Sequence, residues 1–236
     1  PNLPEEPGLG DAEEVTAGSK LDNKDTDFDG FSDLVEVRYG SSPTDATNIP
    51  DLLPIAWQAP QNITGAIGDI KTNGTLVYAW SGGNAVNIPA ISTNFQTGPL
   101  LNDRYGDFDP HNRGGNQDYE SLLANGSYGN SKFIEIPNLT IGQEYQVQIW
   151  VADTRDCCRD RIYRFGTFQD DEDDPFVDLN AGDSSNLAEK PGQYVVGTFT
   201  AAQQSHFIYM SNSGGGSQYN AMMVRQISAA EPAPVV

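Results

Sequence analysis

Basic residues are scarce in this chain. Thirteen Lys and Arg stand against 33 Asp and Glu over 236 residues, a net charge of −20. A surface of that sign repels phosphate backbones and anionic headgroups, so neither nucleic acid nor an acidic membrane is expected as a partner. Long apolar runs are missing too. Nothing approaches the roughly 20 residues of a spanning helix, and no membrane insertion is expected. Histidine is limited to His111 and His206, neither in a nucleophile motif. A Gly-x-Ser-x-Gly elbow and a Gly-rich phosphate loop are both absent, so catalysis is not expected. Paired carboxylates for glycoside hydrolysis depend on a separation that a sequence does not give. The cysteines, Cys157 and Cys158, are adjacent and too few for a disulfide scaffold. A vicinal disulfide, pairing with other chains and free thiols all stay open. No leader peptide is visible, and an opening at Pro1 fits a processed, secreted form.

What the chain has in abundance is acid, glycine and proline, and the acid is placed with purpose at residues 25–36. Asp25, Asp27 and Asp29 occupy alternate positions 1, 3 and 5 of a loop, Gly30 the sixth, Phe31 the seventh, Asp33 the ninth and Glu36 the twelfth. A hard divalent cation needs six to eight oxygens. Carboxylates at those positions, the Phe31 carbonyl and a bidentate Glu36 supply them, with Gly30 permitting the turn. Five carboxylates in twelve residues repel one another by roughly 1 kcal/mol per close pair even in water, which a cation would relieve. The expected metal is calcium.

The segment Leu21–Pro50 resembles the thrombospondin type 3-like calcium repeats of secreted bacterial proteins, and Gly40, Pro43 and Asp45 match the Gly-x-x-Pro-x-Asp tail of such repeats. The resemblance implies half an EF-hand acting as a rigid spacer or docking element. A paired sensor would need a helix before the loop, and residues 17–23 make a poor one. Asp22, Asn23 and Asp45 are candidate further ligands. A short helix is expected over 31–39, stopped by Gly40, with Phe31, Leu34, Val35 and Tyr39 facing the main domain. Residues 41–54 then form a linker.

From residue 55 the texture becomes short strands between turn residues: 75–81, 132–136, 144–152, 161–167, 193–200, 206–210 and 219–227. In 144–151, Tyr145, Val147, Ile149 and Val151 alternate with Gln146, Gln148 and Trp150, the period of a half-buried strand. With one helix near 119–124, the fold class expected is all-β: a jelly-roll-like β-sandwich carrying a small N-terminal calcium-binding loop-helix segment. The divisions are an extended N-terminal arm (1–20), the calcium segment (21–50), the sandwich (55–228) and a C-terminal tail (229–236). Order and wording of motifs such as QNITGAIGDIKTNGTLVYAW and LTIGQEYQVQIWVADTR resemble a secreted bacterial β-sandwich module of unsettled function. They are similar, more distantly, to carbohydrate-binding jelly rolls. The chain departs from the module at residues 156–159, where relatives carry small residues.

Other constellations are weaker. Asp107, Asp109 and His111 are spaced to hold a second metal, or form a polar turn. Arg155, Arg159, Arg161 and Arg164 are expected to pair with the acidic run at 170–174. Trp57, Trp80 and Trp150 lie in strand-like segments where aromatics fill cores. Only Trp150, on the polar phase of its strand, is a candidate glycan contact. Asn62, Asn73, Asn125 and Asn138 head glycosylation sequons that matter only in a glycosylating host. The reading that follows is a secreted, extracellular, calcium-binding structural or adhesive protein of the cell surface. It is expected to form a homo-oligomer or polymer through its terminal arms, one of which can add a strand to a neighbour's sheet edge. The alternative is a carbohydrate-binding module that recognises extracellular polysaccharide.

Overall fold

Among the described residues the strands form three sheets. The computed structural model describes residues 11–21, 23, 25–28, 33–48, 54–106, 115–130, 133–153, 158, 160–167, 175–183, 185–212 and 216–227. In chain order these form α1 (Asp11–Ala17), α2 (Asp33–Tyr39), β1 (Ala56–Trp57), β2 (Gln61–Asn62), β3 (Thr75–Ser81), β4 (Val86–Ile88), β5 (Thr93–Thr97) and β6 (Asp103–Tyr105). Next come α3 (Gln117–Leu123), β7 (Gly126–Gly129), β8 (Phe133–Ile136), β9 (Glu144–Val151) and β10 (Ile162–Gly166). β11 (Val177–Asn180), β12 (Gln193–Thr200), β13 (His206–Asn212), β14 (Ser217–Tyr219) and β15 (Ala221–Ile227) complete them. The main sheet runs β1-β12-β9-β15-β3-β5-β4, with β2 also on β12. A second sheet runs β11-β10-β13-β8 and a third β14-β7-β6. β3 and β5 pair in parallel. The result is the expected all-β sandwich.

One face of the main sheet packs Val147, Ile149, Val195, Met222 and Val224 against Ile134, Ile136, Tyr163, Phe165, Ile208 and Met210. The opposite face departs from expectation. Trp150, Tyr194, Val196 and Met223 on that side meet Ile63, Ile70, Phe95 and the Tyr119, Leu122 and Leu123 side chains of α3 in a second core. β9 is therefore buried on both faces from Tyr145 onward. The alternation correctly sorts its residues between two sides, but its polar phase is covered. Gln148 tolerates this because both ends of its amide are used. Its Oε1 accepts from the Lys71 amide at 2.9 Å and its Nε2 donates to the Asp69 carbonyl at 2.7 Å. A buried polar side chain on a covering segment's backbone costs little.

Asn220, fully buried in the turn between β14 and β15, ties the layers together. Its Oδ1 accepts from the Ala152 amide at 2.7 Å. Its Nδ2 lies 2.7–2.8 Å from the carbonyls of Leu123, Asn125 and Ala152. The residues before the acidic loop also differ from an extended arm, since 11–17 are helical. Glu13 and Glu14 lie near the end where a helix favours negative charge. Gly18 then takes φ +79°, which glycine allows without penalty at a helix C-terminus.

His206 begins β13 buried, its ring stacked on Phe199 at 4.1 Å. Desolvation pushes its pKa down to about 4, so the folded protein keeps the ring neutral. On acidification the unfolded chain takes the proton first, near pH 6.5. The stability held above that pH is lost as pH falls towards 4. The carboxylates titrate over part of the same range, so the comparison is with His206→Phe. Urea unfolding at pH 7 and pH 4.5 should show wild type losing about 2–3 kcal/mol more than the variant over that interval. Equal losses would refute the assignment.

Candidate metal centre

The acidic loop at 25–36 is tied by hydrogen bonds that spacing alone does not reveal. Thr26, at loop position 2, donates its backbone N–H to Asp33 Oδ1 at 2.7 Å and its hydroxyl to Asp33 Oδ2 at 2.8 Å. Asp33 is 2% exposed and opens α2. Its carboxylate thus latches the helix to the loop, a role that spacing does not foresee. The Lys20 amide donates to Thr26 Oγ1 at 2.8 Å, and Lys20 Nζ stands 5.4 Å over the Phe28 ring. Asp25 Oδ1 accepts from the Phe28 amide at 2.7 Å, holding Phe28 at φ +64°. Asn23 Oδ1 lies 3.5 Å from the Asp25 amide, directed at the loop backbone.

Glu36 is wholly buried, and its Oε1 accepts from the Ser41 hydroxyl at 3.3 Å. Glu36 Oε2 and Asp27 Oδ2 are both shut off from solvent. Carboxylate oxygens removed from water need compensation by hydrogen bonds, a counter-charge or a metal. The donor set consists of oxygen alone, which suits a hard cation. Among the described residues no three His, Cys, Asp or Glu side chains converge to hold a metal. Asp29 and Phe31, central to the expected site, lie outside the described residues, as does Asp22. Asp45 bonds within its own turn. It is exposed, and its Oδ1 accepts from the Thr47 amide at 3.1 Å and the Thr47 hydroxyl at 2.7 Å, which hold its carboxyl below the usual range.

The far end of α2 is fastened to the sandwich. Tyr39 is buried with its ring edge-on to Phe207 at 5.4 Å, and its hydroxyl accepts from the Phe207 amide at 2.9 Å. Gln203 Nε2 donates to the Tyr39 carbonyl. Gly40 at φ +78° ends the helix, and the Ser41 amide bonds back to the Glu36 carbonyl at 2.9 Å. Glu36 and Tyr39, three residues apart, therefore share one face and join the loop to β13. Thr26, Ser41 and Gln203 were not foreseen as parts of this assembly. Each lies at a position that reads as a spacer.

The remaining candidates separate clearly. Trp150 is 0% exposed, set edge-on to Phe95 and tilted against Tyr194. It belongs to the second core and cannot touch a glycan. Asp107, Asp109 and His111 lie outside the described residues, and so do 170–174, Arg155 and Arg159. Arg164 pairs instead with its cross-strand neighbour Asp178, at 2.9 and 3.0 Å in a fork, while covering the Phe176 ring. Cys158 is buried and disulfide-bonded, and the chain has one other cysteine, the adjacent Cys157. Asn125 is buried with its side chain bonded to the Ser121 carbonyl and the Asn84 amide, so that sequon is closed to modification in the folded chain.

No family model matches the chain, and no curated protein matches it. Among solved structures it is similar to Bacteroides uniformis beta-glucuronidase 2 covalently bound to cyclophellitol-6-carboxylate aziridine. That match has 10% identity and a TM-score of 0.48 over 64% of this chain and 18% of that one. A second Bacteroides uniformis beta-glucuronidase structure matches at 10% identity and TM-score 0.44, again over 64% and 18%. The ANXUR2 extracellular domain from Arabidopsis thaliana matches at 8% and 0.37, over 65% of this chain and 49% of that one. The chain thus spans under a fifth of the glucuronidase chains.

The Tyr39 anchor has a direct test. Tyr39→Phe keeps the ring and removes the bond to the Phe207 amide, at an expected cost of about 1–2 kcal/mol to docking of the segment. Limited proteolysis should cut residues 40–54 faster in the variant, with the sandwich left intact. An unchanged cleavage rate would show that the segment is held elsewhere.

Proposed function

We propose that this chain is a secreted structural or adhesive protein whose N-terminal segment takes calcium. The observation that carries the reading is the burial of Glu36 Oε2 and Asp27 Oδ2 within an acidic loop already folded by the Thr26–Asp33 latch. Asp25, Asp27, Asp29, Glu36 and the Phe31 carbonyl would hold the ion, with Asp33 ordering the loop around it. Bound calcium supplies the counter-charge that lets the carboxylates stay together. The consequence is mechanical: the loop stiffens and, through α2 and Tyr39, keeps a fixed angle to the sandwich.

Assembly between copies is part of the proposal. Among the described residues, half of the exposed large hydrophobics, Val15, Leu21, Phe28 and Val37, lie in the N-terminal segment. A groove of about 700 Å³ runs between α1 and the turn after α2, lined by Ala12, Thr16, Ala17, Val37 and Pro43 among others. Apolar surface concentrated in this way marks a contact region, and calcium offsets the repulsion between copies of charge −20. No step of this role requires catalysis.

Thermal unfolding in 10 mM calcium against chelator tests the reading. A site in the extracellular range, about 10⁻⁴–10⁻³ M, adds about 1–3 kcal/mol, or roughly 3–10 °C in Tm for a chain of this size. Glu36→Gln and Asp27→Asn should abolish most of the gain, and light scattering should show larger species in calcium. A Tm indifferent to calcium would overturn the metal centre. A monomer at every concentration would overturn the assembly.

A further inference from the structure

The main sheet extends past its partner. The second sheet ends at β8, and the turn after β8 meets β3 through the Tyr78 hydroxyl, which donates to the Pro137 carbonyl at 2.9 Å and accepts from Asn138 Nδ2 at 3.3 Å. Beyond that contact lie β5 and β4. Register places their residues. Trp80 pairs with Gln96 in parallel, so the two share a face. Asn94, two residues before Gln96, points the same way, and Asn87 pairs with Asn94 across β4–β5. The alternate residues Ala79, Phe95, Val86 and Ile88 turn to the second core, which confirms the phase. One face of β3-β5-β4 therefore presents Tyr78, Trp80, Gln96, Asn94 and Asn87 side by side. The two rings are part-buried and stacked at 4.5 Å with 29° between planes, and the three amides are exposed.

Electrostatics single out this face. The run from Asn73 to Asn102, which builds all three strands, contains no Asp, Glu, Lys, Arg or His, in a chain with 33 acids. Arg104, which reaches this region, spends its guanidinium on the carbonyls of Gly82 and Gly98, both at 2.7 Å. A neutral window in so acidic a surface neither attracts cations nor repels a neutral chain. Each Asn or Gln offers two donors and an acceptor, the complement of hydroxyl groups, and stacked rings offer flat apolar area for the C–H face of a sugar. Gly98 packs closely on this platform, since a Cβ there would lie 2.5 Å from Trp80 Cβ. The face spans about 10 Å across three strands.

We infer that this face binds a neutral polysaccharide, with Tyr78 and Trp80 as the stacking platform and Asn87, Asn94 and Gln96 as the hydroxyl-reading groups. The site is separate from the calcium segment and stands whether or not that segment binds metal. It replaces Trp150 as the place where a glycan can be met.

The test is affinity electrophoresis of the whole chain through gels containing mixed-linkage β-glucan, xylan, galactomannan or pullulan, with alginate and polygalacturonate as anionic controls. At least one neutral polysaccharide should retard wild type, in chelator as well as in calcium. Trp80→Ala should weaken that binding tenfold or more. Because Trp80 also flanks the core, the deciding variant is Asn94→Ala with Gln96→Ala. Both residues are exposed, so Tm should hold while affinity falls about three- to tenfold. Several outcomes overturn the inference: no retardation on any neutral polysaccharide, stronger retardation on the anionic ones, a double variant that binds like wild type, or binding lost on chelation. The last would move the ligand to the N-terminal segment.

Discussion

A sheet buried on both faces has to satisfy every polar group it encloses, and here the amide of Asn220 meets much of that demand. It sits where the chain leaves β14 of the third sheet and enters β15 of the main one. From there it reaches the end of α3, the Asn125 turn and the strand end at Ala152. Gln218, two residues earlier, donates to the Tyr105 hydroxyl at 2.9 Å and accepts from the Tyr163 hydroxyl at 3.2 Å. One short turn thus connects all three sheets through bonds made away from water. In such surroundings these bonds are strong, and an unpaired group is costly. The network accepts one arrangement of α3 and the third sheet over the second core, and so it determines which part of the main sheet is covered and which part is left open.

The N-terminal segment follows a different principle. Among the described residues its buried apolar side chains are Tyr39 and Pro43. It is held through a few directed contacts: the latch between Thr26 and Asp33, the bond from Ser41 to Glu36, and the docking of Tyr39 beside Phe207. Local unfolding of such a region costs far less than unfolding the sandwich. Its order is therefore open to control by a ligand that binds only the folded loop.

The strands were the most legible part of the sequence. The bounds of β3 and β12 match the strand runs expected at 75–81 and 193–200, because turn residues flank them. The limits are instructive. Alternation in β9 separated Trp150 from Ile149 correctly, yet exposure of the polar phase depends on segments 61–71 and 117–123, remote in sequence. The same blindness hid the better aromatic. Trp80 shares its face with core residues Met222 and Val224, so by pattern it is interior, and only the narrower width of the second sheet leaves it partly open. Spacing in the acidic loop singles out its carboxylates but not their hydrogen-bond partners, so the bonds from Thr26 to Asp33 are not legible in it. Arg164 was matched to the densest acidic run, whereas strand register delivers it to Asp178.

Charge connects these features. The acids are not spread evenly but gather in the N-terminal segment, at 170–174 and on scattered turns, while residues 73–102 carry none. A face built only from that run therefore carries no formal charge of its own. A uniform charge of −20 would keep every surface apart from every other. Segregation would let the two proposed contacts coexist on one small protein: a cation-dependent one at the acidic end, and one at the neutral sheet that has no charge to screen. On that reading the two would respond to different conditions, because the division of charge keeps salt and divalent cations from acting on both alike.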